Sequence, residues 1–398
     1  METAHDGCGR RSGQDGRSMG GPGPGTTGPP VPEQARFCAR CDGPVGRGRG
    51  GRPGPERGTC PWCGAAYDVR PDLAVDALVA GRTGERYRVR APLARGARGW
   101  SYTATRTSDG ALVVLGRLEG PDGPAAGALA VEETEVLLAL DVPGLVHARD
   151  VVRADGRDGP VRLLVLDHVP GEPLSAHRPC PPAEALDAVL GAVAPVAALH
   201  RHGLLHADLN PSNLLRGPGG ITVLDLGSVR RVEDRHSDVW ATTGFVAPEI
   251  HPGGPGPSVA SEVFALGRTV AVLVAEFDHL RNHALRLPDP AAVPVLRDDP
   301  DLVALLVRAT DADPARRHRS VEAFAEEARR VRARYEGSRA GPGSGHDIDR
   351  YTARPGDCGV GVGVGAGADP EDGPTRGGGG RPVGAARDPR DARGAAIP

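Results

Sequence analysis

His206-Ala207-Asp208-Leu209-Asn210-Pro211-Ser212-Asn213 is followed, twelve residues after Asn213, by Asp225-Leu226-Gly227. Phosphoryl transfer needs a carboxylate beside the attacking hydroxyl and oxygen ligands that hold Mg²⁺ against nucleotide phosphates. Asp208 suits the first role, and Asn213 and Asp225 suit the second. A D-x-x-x-x-N segment followed by DLG has the spacing of a catalytic loop and a metal loop. Each aspartate alone would read as a turn former; the set in this order reads as a phosphoryl-transfer site. Apolar Leu214-Leu215 follows the first motif, and a strand-like stretch, 221–224, leads into the second.

Upstream, Leu93-Ala94-Arg95-Gly96-Ala97-Arg98-Gly99-Trp100-Ser101-Tyr102 lies in a strand–turn–strand pattern. Gly96 and Gly99 are placed to let backbone N–H groups cover phosphates; Ala94 stands where a first glycine would make the turn freer. Short apolar runs at 87–91, 100–104, 112–115 and 161–166, separated by turns such as Ser108-Asp109-Gly110, predict strands. Helical spacing marks 128–140, then 182–200, 259–275, 301–309 and 320–335. A strand-rich half followed by a helix-rich half predicts an α+β enzyme with two lobes, about 80–168 and 172–336.

The flanks differ. The chain holds 58 glycines and 39 prolines, concentrated at its ends, so 1–34 and 337–398 read as disordered. A net charge of −3 argues against a nucleic-acid partner. No run of apolar residues is long enough to span a membrane, and the N-terminus lacks a signal peptide's apolar core. Among seven cysteines, Cys38-x-x-Cys41 and Cys60-x-x-Cys63, 18 residues apart, match a tetrahedral thiolate site over 35–72. Zinc and a single iron both suit four thiolates. A closed four-cysteine site reads as structural or sensing rather than catalytic. The odd count and tight pairing point to metal binding in the cytoplasm rather than a disulfide scaffold.

The order of motifs resembles the serine/threonine protein kinases, and residues 35–335 resemble the actinobacterial PknG type, in which a rubredoxin-like metal domain precedes the kinase. Phe37-Cys38 through Val45-Gly46, Cys60-Pro61-Trp62-Cys63-Gly64, Gly96 to Trp100 and Leu224 to Gly227 carry the resemblance, more weakly Val259 to Glu262 and Leu266 to Thr269. It implies a bilobal protein-kinase fold behind a rubredoxin-like or zinc-ribbon knuckle, binding Mg·ATP and acting on a protein whose identity is open. It also implies Glu133 as the helix glutamate, Leu166 as gatekeeper, and Asp167 and Val169 as hinge residues that read adenine. Thr242 matches the threonine of serine/threonine kinases. Thr242-Thr243-Gly244-Phe245-Val246-Ala247-Pro248-Glu249 looks like a substrate-docking segment, with Glu249 expected to pair with Arg317. Ala207 replaces the arginine that anchors a phosphorylated loop, so loop phosphorylation is not the expected switch. That kinase type continues into a tetratricopeptide-repeat domain; this sequence continues into a low-complexity tail instead, so the resemblance does not extend to repeat-mediated partner binding.

The chain contains no lysine; all 48 basic residues are arginine. Gly116 stands where the glutamate-paired, phosphate-binding lysine belongs, and Asn210 replaces the catalytic-loop lysine. Strand alternation turns Arg117 to the wrong face. A bulge at Gly116 would bring it inward, and on that basis Arg117 joins the expected nucleotide site. Two functions remain open: a Ser/Thr kinase, and a pseudokinase that binds nucleotide or partners without turnover. A kinase-fold enzyme for small molecules is disfavoured by Ala247-Pro248-Glu249.

Overall fold

The computed structural model describes residues 31, 33, 36–38, 43–96, 99–118, 131–234, 242–251, 253–275, 277 and 287–336. The expected disorder of 1–34 and 337–398 lies outside these residues except at 31 and 33. There the expectation needs correcting. Val31 is buried, and the Glu33 carboxylate accepts hydrogen bonds from the amides of Gly48 (2.5 Å) and Gly54 (2.6 Å). A lone apolar residue in a Gly/Pro tract gives no periodicity, so only the tertiary contact shows it as part of the folded unit.

The first lobe is a closed antiparallel barrel of six strands in the order β3-β4-β5-β6-β8-β7. These are β3 (Leu78–Gly81), β4 (Arg86–Gly96), β5 (Gly99–Arg106), β6 (Leu112–Arg117), β7 (Ala148–Gly156) and β8 (Gly159–Asp167). Alternation builds it: in β5, Trp100, Tyr102 and Ala104 point inward, and Val113 and Leu115 of β6 join them. The four expected strands are present, and β3 and β7 are additional. β7 escapes a reading by hydrophobicity because it carries Arg149, Asp150, Arg153 and Asp155 and slips register between Ala148 and Asp150. Asp150 is nevertheless buried, because Thr83 Oγ1 (2.6 Å), Tyr87 Oη (3.2 Å) and the Val151 amide (2.8 Å) donate to its carboxylate. The helix α1 (Val131–Ala139) sits between β6 and β7 in sequence.

The second lobe is helical, as expected. α2 (Pro182–Arg201) opens with proline in its first turn, and α3 (Val259–Val274) with a Ser258/Ser261 capping box. α4 (Pro294–Arg297), α5 (Pro300–Ala309) and α6 (Val321–Ala333) complete it, Asp299 and Ser320 capping the last two. Leu186, Val196, Leu266, Leu305 and Phe324 are among its fully buried side chains. By length and composition alone α2 could cross a membrane, but most of it is buried inside the protein. Short strands pair in two small sheets of this lobe: β9 (Glu172–Pro173), β11 (Leu214–Gly217) and β12 (Gly220–Val223) in one, β10 (Leu204–Leu205) and β13 (Arg230–Arg231) in the other. β11 and β12 form a hairpin that carries Asn213 at its start and Asp225 just past its end.

The knuckle is a two-stranded hairpin, β1 (Arg57–Thr59) and β2 (Ala66–Asp68), over a small core that includes Val45, Tyr67 and Val69. It is tied to the barrel by polar contacts. Arg157 donates to Asp68 (3.0 Å), Trp100 Nε1 to the Arg70 carbonyl (3.0 Å), and the amides of Asp72 and Leu73 to Tyr102 Oη (2.8 and 3.1 Å).

Glu249 and Arg317 form the expected bridge. Arg317 meets both carboxylate oxygens (2.7 and 2.8 Å), donates to the Asp311 and Ala260 carbonyls, and stacks over Phe264. Its side chain is fully buried, so removing the anion strands a desolvated guanidinium. Glu249→Ala is therefore expected to cost about 3–5 kcal/mol in urea unfolding, with the far-UV circular dichroism of the folded state unchanged; a loss below about 1 kcal/mol would show the bridge to be solvent-relaxed.

Candidate active site

The structure brings Asp208, Asn213 and Asp225 around one point of the cleft through a dense set of hydrogen bonds. The Thr242 amide donates to Asp208 Oδ1 (2.8 Å), and Asn213 Nδ2 to Asp208 Oδ2 (3.0 Å) and to the Asp208 carbonyl (2.8 Å). This use of Nδ2 leaves Asn213 Oδ1 without a partner among the described residues. Asn210 Nδ2 reaches Asp208 Oδ1 (3.1 Å) and Thr242 Oγ1 (3.0 Å), and Asn210 Oδ1 accepts from the Ser212 amide (2.9 Å). Asn210 thus ties Asp208 to the segment at 242–249 through an uncharged amide.

The backbone beneath is strained. Ala207 and Asp225 both take left-handed conformations, φ +62° and +54°. Both are held from several sides. The Ala207 amide donates to Glu262 Oε1 (2.8 Å), and Glu262, buried in α3, also meets His200. Fully buried His206 accepts from the Asp208 amide at Nδ1 (3.3 Å) and donates from Nε2 to the Leu224 carbonyl (2.8 Å), joining the catalytic loop to the metal loop. Asp225 Oδ1 caps the turn that follows it, accepting from the Gly227 amide (3.2 Å). Glu262 was not singled out in the sequence, since a glutamate inside an apolar helix gives no sign of the amide it will meet.

Burial pushes the Asp208 carboxyl above the usual range, and the Asp225 charge adds to it; the Thr242 amide and His206 oppose both. The Asp208 carboxyl, the nearby Asp225 carboxylate and an open amide oxygen make an oxygen-rich site suited to a divalent cation.

On the other wall, Gly96 pairs with Gly99 across the β4–β5 hairpin, while Ala97 and Arg98 fall outside the described residues. Gly99 has φ +131°, and a β-carbon there would come within 2.7 Å of Arg117 Cδ, so this position requires glycine. Leu166 is buried at the end of β8. Asp167 is bound by Arg149, and its amide is taken by the His147 carbonyl (3.0 Å). The Val169 amide has no backbone acceptor among the described residues and is open to a ligand.

Arg117 requires a correction. β6 pairs with β5 and β8 without a register shift, so there is no bulge at Gly116. Arg117 stays on the face of Val113 and Leu115 and donates to Asp72 (2.6 Å), in the linker from the knuckle. The alternation rule was sufficient there; the missing information was Asp72, which pairs with Arg117 at this end of the barrel. Glu133 instead meets Arg231, its Oε1 lying 3.1 Å from Arg231 Nε. The only sequence signal for Arg231 was its place six residues after Asp225 in a chain without lysine.

In the knuckle, the sulfurs of Cys38, Cys60 and Cys63 lie within 4.8 Å of one another, Cys38 and Cys63 at 3.7 Å. Metal–sulfur bonds of about 2.3 Å in a tetrahedron give sulfur–sulfur edges of about 3.8 Å, so the three fit one metal ion. Gly64, at φ +71°, turns the chain so that its amide donates to the Cys60 carbonyl (3.0 Å). Cys41 lies outside the described residues.

Residues 87–286 match the protein kinase domain, and residues 25–73 match the protein kinase G rubredoxin domain. The chain belongs to the protein kinase family. Within it, the chain is 34% identical over 303 residues to the serine/threonine-protein kinase PknG of Mycolicibacterium smegmatis, covering 74% of this chain and 38% of that one. It is 33% identical to PknG of Mycobacterium leprae over 74% of this chain and 40% of that one, and 31% identical to PkaB of Streptomyces coelicolor over 61% and 63%. The chain thus spans about two-fifths of the length of these PknG relatives.

Two outcomes follow from these sites. Replacing Cys60 by Ser is expected to reduce bound zinc or iron from about one equivalent to near none by elemental analysis, with a lower thermal midpoint; undiminished metal content would place the ion elsewhere. For Asp208, a raised pKa means that its contribution to stability is present below the ordinary carboxylate range and lost as pH rises through the raised value. Without Mg²⁺, the stability of the native chain relative to Asp208→Asn should therefore fall as pH rises above the ordinary carboxylate range. Denaturant unfolding over that rise in pH reads it, and a rising difference would contradict the sign.

Proposed function

We propose that this chain is a serine/threonine kinase that moves the γ-phosphoryl group of Mg·ATP to a hydroxyl of another protein. One observation supports it most: the partly buried Asp208 carboxylate is clamped by Thr242, Asn210 and Asn213 near Asp225. In this reading Asn213 Oδ1 and the Asp225 carboxylate hold Mg²⁺, which screens the phosphate charge when bound. Asp208 orients the attacking hydroxyl and accepts its proton. Gly96 and Gly99 let the hairpin lie over the phosphates, and the Asp167 carbonyl and Val169 amide read adenine. The modules are a four-cysteine knuckle at 35–72, carrying zinc or iron, and a kinase domain at 80–336, acting in the cytoplasm.

A pseudokinase is the second reading, and a specific observation favours it. Gly116 offers no side chain, and Asn210 keeps the lysine's place without its charge. Losing one transition-state donor costs about 10²–10³ in rate. Transfer of labelled phosphate from Mg·ATP to a mixed protein substrate, with Asp208→Asn as control, separates the two. The kinase reading expects turnover at least about a hundred-fold above the control. Turnover equal to the control, with Mg·ATP still bound, establishes the pseudokinase.

A further inference from the structure

Glu133 is 9% exposed, and a carboxylate so buried needs a cation. β6 supplies none. A β-carbon at Gly116 would meet only Leu166 Cδ1, at 3.7 Å, so the space beside the strand is open. Arg117 is committed to Asp72 on the opposite face. The cation comes instead from Arg231, whose Nε lies 3.1 Å from Glu133 Oε1. Glu133 Oε2 is also buried and makes no hydrogen bond among the described residues.

Arg231 is held in place by its backbone. Its strand, β13, pairs with β10 in the register Leu204↔Arg231, and the Val232 amide donates to the Gly203 carbonyl (2.9 Å). β10 runs directly into His206-Ala207-Asp208, and β13 follows Asp225 by a single turn. Arg231 is thus placed from both the catalytic and the metal loop, with its side chain 39% exposed. A guanidinium offers several donors in a fixed fork, and Glu133 engages this one at Nε.

We propose that Arg231 is the phosphate-binding cation of this nucleotide site, oriented by Glu133, so that the positive charge comes from the segment leaving Asp225 rather than from β6. The inference rests on the nucleotide-binding reading above. Its consequence is an ion pair between α1 and the second lobe, which makes the placement of that helix depend on the segment after Asp225.

Calorimetric titration of the full chain with Mg·ATP and, separately, with adenosine tests it. Arg231→Ala is expected to weaken Mg·ATP about ten- to a hundred-fold while leaving adenosine affinity within about two-fold, as loss of a charge-assisted phosphate contact requires. Arg231→Lys should recover most of the loss, and Glu133→Gln should give a smaller, phosphate-selective loss. Unchanged or tighter Mg·ATP binding by Arg231→Ala overturns the proposal, the second marking the pair as an inhibitory latch. Equal weakening of adenosine also overturns it, since that marks a purely structural role. If Asp225→Ala abolishes Mg·ATP binding while Arg231→Ala does not, this inference alone falls; if the native chain binds no Mg·ATP, both readings fall.

Discussion

Two carboxylates, Asp208 and Asp225, stand close enough for the charge of one to oppose ionisation of the other, and much of the cleft exists to hold them there. Each sits beside or within left-handed backbone that an isolated loop would abandon. His206 bonds the two loops to each other, Glu262 holds the Ala207 amide, and the β11–β12 hairpin sets the separation of Asn213 and Asp225. The strain and the repulsion are concentrated where a bound cation and phosphate would relieve them. The buried Arg317–Glu249 bridge secures the docking segment on one side, and Arg268, fully buried in α3, donates to the Gly244 carbonyl (2.9 Å) on the other.

The absence of lysine shapes the rest of the site. A guanidinium is planar, wide and permanently charged, so it cannot replace an ammonium in place. At Gly116 the strand carries no side chain. At 210 an asparagine preserves the hydrogen bonds to Asp208 and Thr242 and gives up the charge. Positive charge reaches Glu133 from a different element, through Arg231. Positioning and electrostatics, usually joined in one lysine side chain, are divided here between residues far apart in sequence.

The knuckle joins the barrel beside the β4–β5 hairpin. Trp100 and Tyr102, one and three residues past Gly99, bond the linker at Arg70, Asp72 and Leu73. Arg95, just before Gly96, donates to the Phe37 carbonyl (3.4 Å), next to the metal-binding Cys38. Burial lowers the Arg95 pKa, with Asp72, Asp68 and Cys38 opposing that shift. The β4–β5 hairpin is thus held by the cysteine knuckle and its linker.

What the sequence determined alone is local or periodic. The D-x-x-x-x-N and D-L-G motifs, the C-x-x-C spacing and four of the five second-lobe helices within about two residues were legible from spacing and period, α4 being too short to show one, and the Glu249–Arg317 pair from the family resemblance. Tertiary structure decided the rest. β7 was hidden because a buried Asp150 needs donors 63 and 67 positions away, at Tyr87 and Thr83. The destination of Arg117 depended on Asp72, 45 positions away. The partner of Glu133 depended on which of many arginines the fold delivers to it. These two ion pairs carry no period, no fixed spacing and no motif, so their members become visible only when the chain has closed around them.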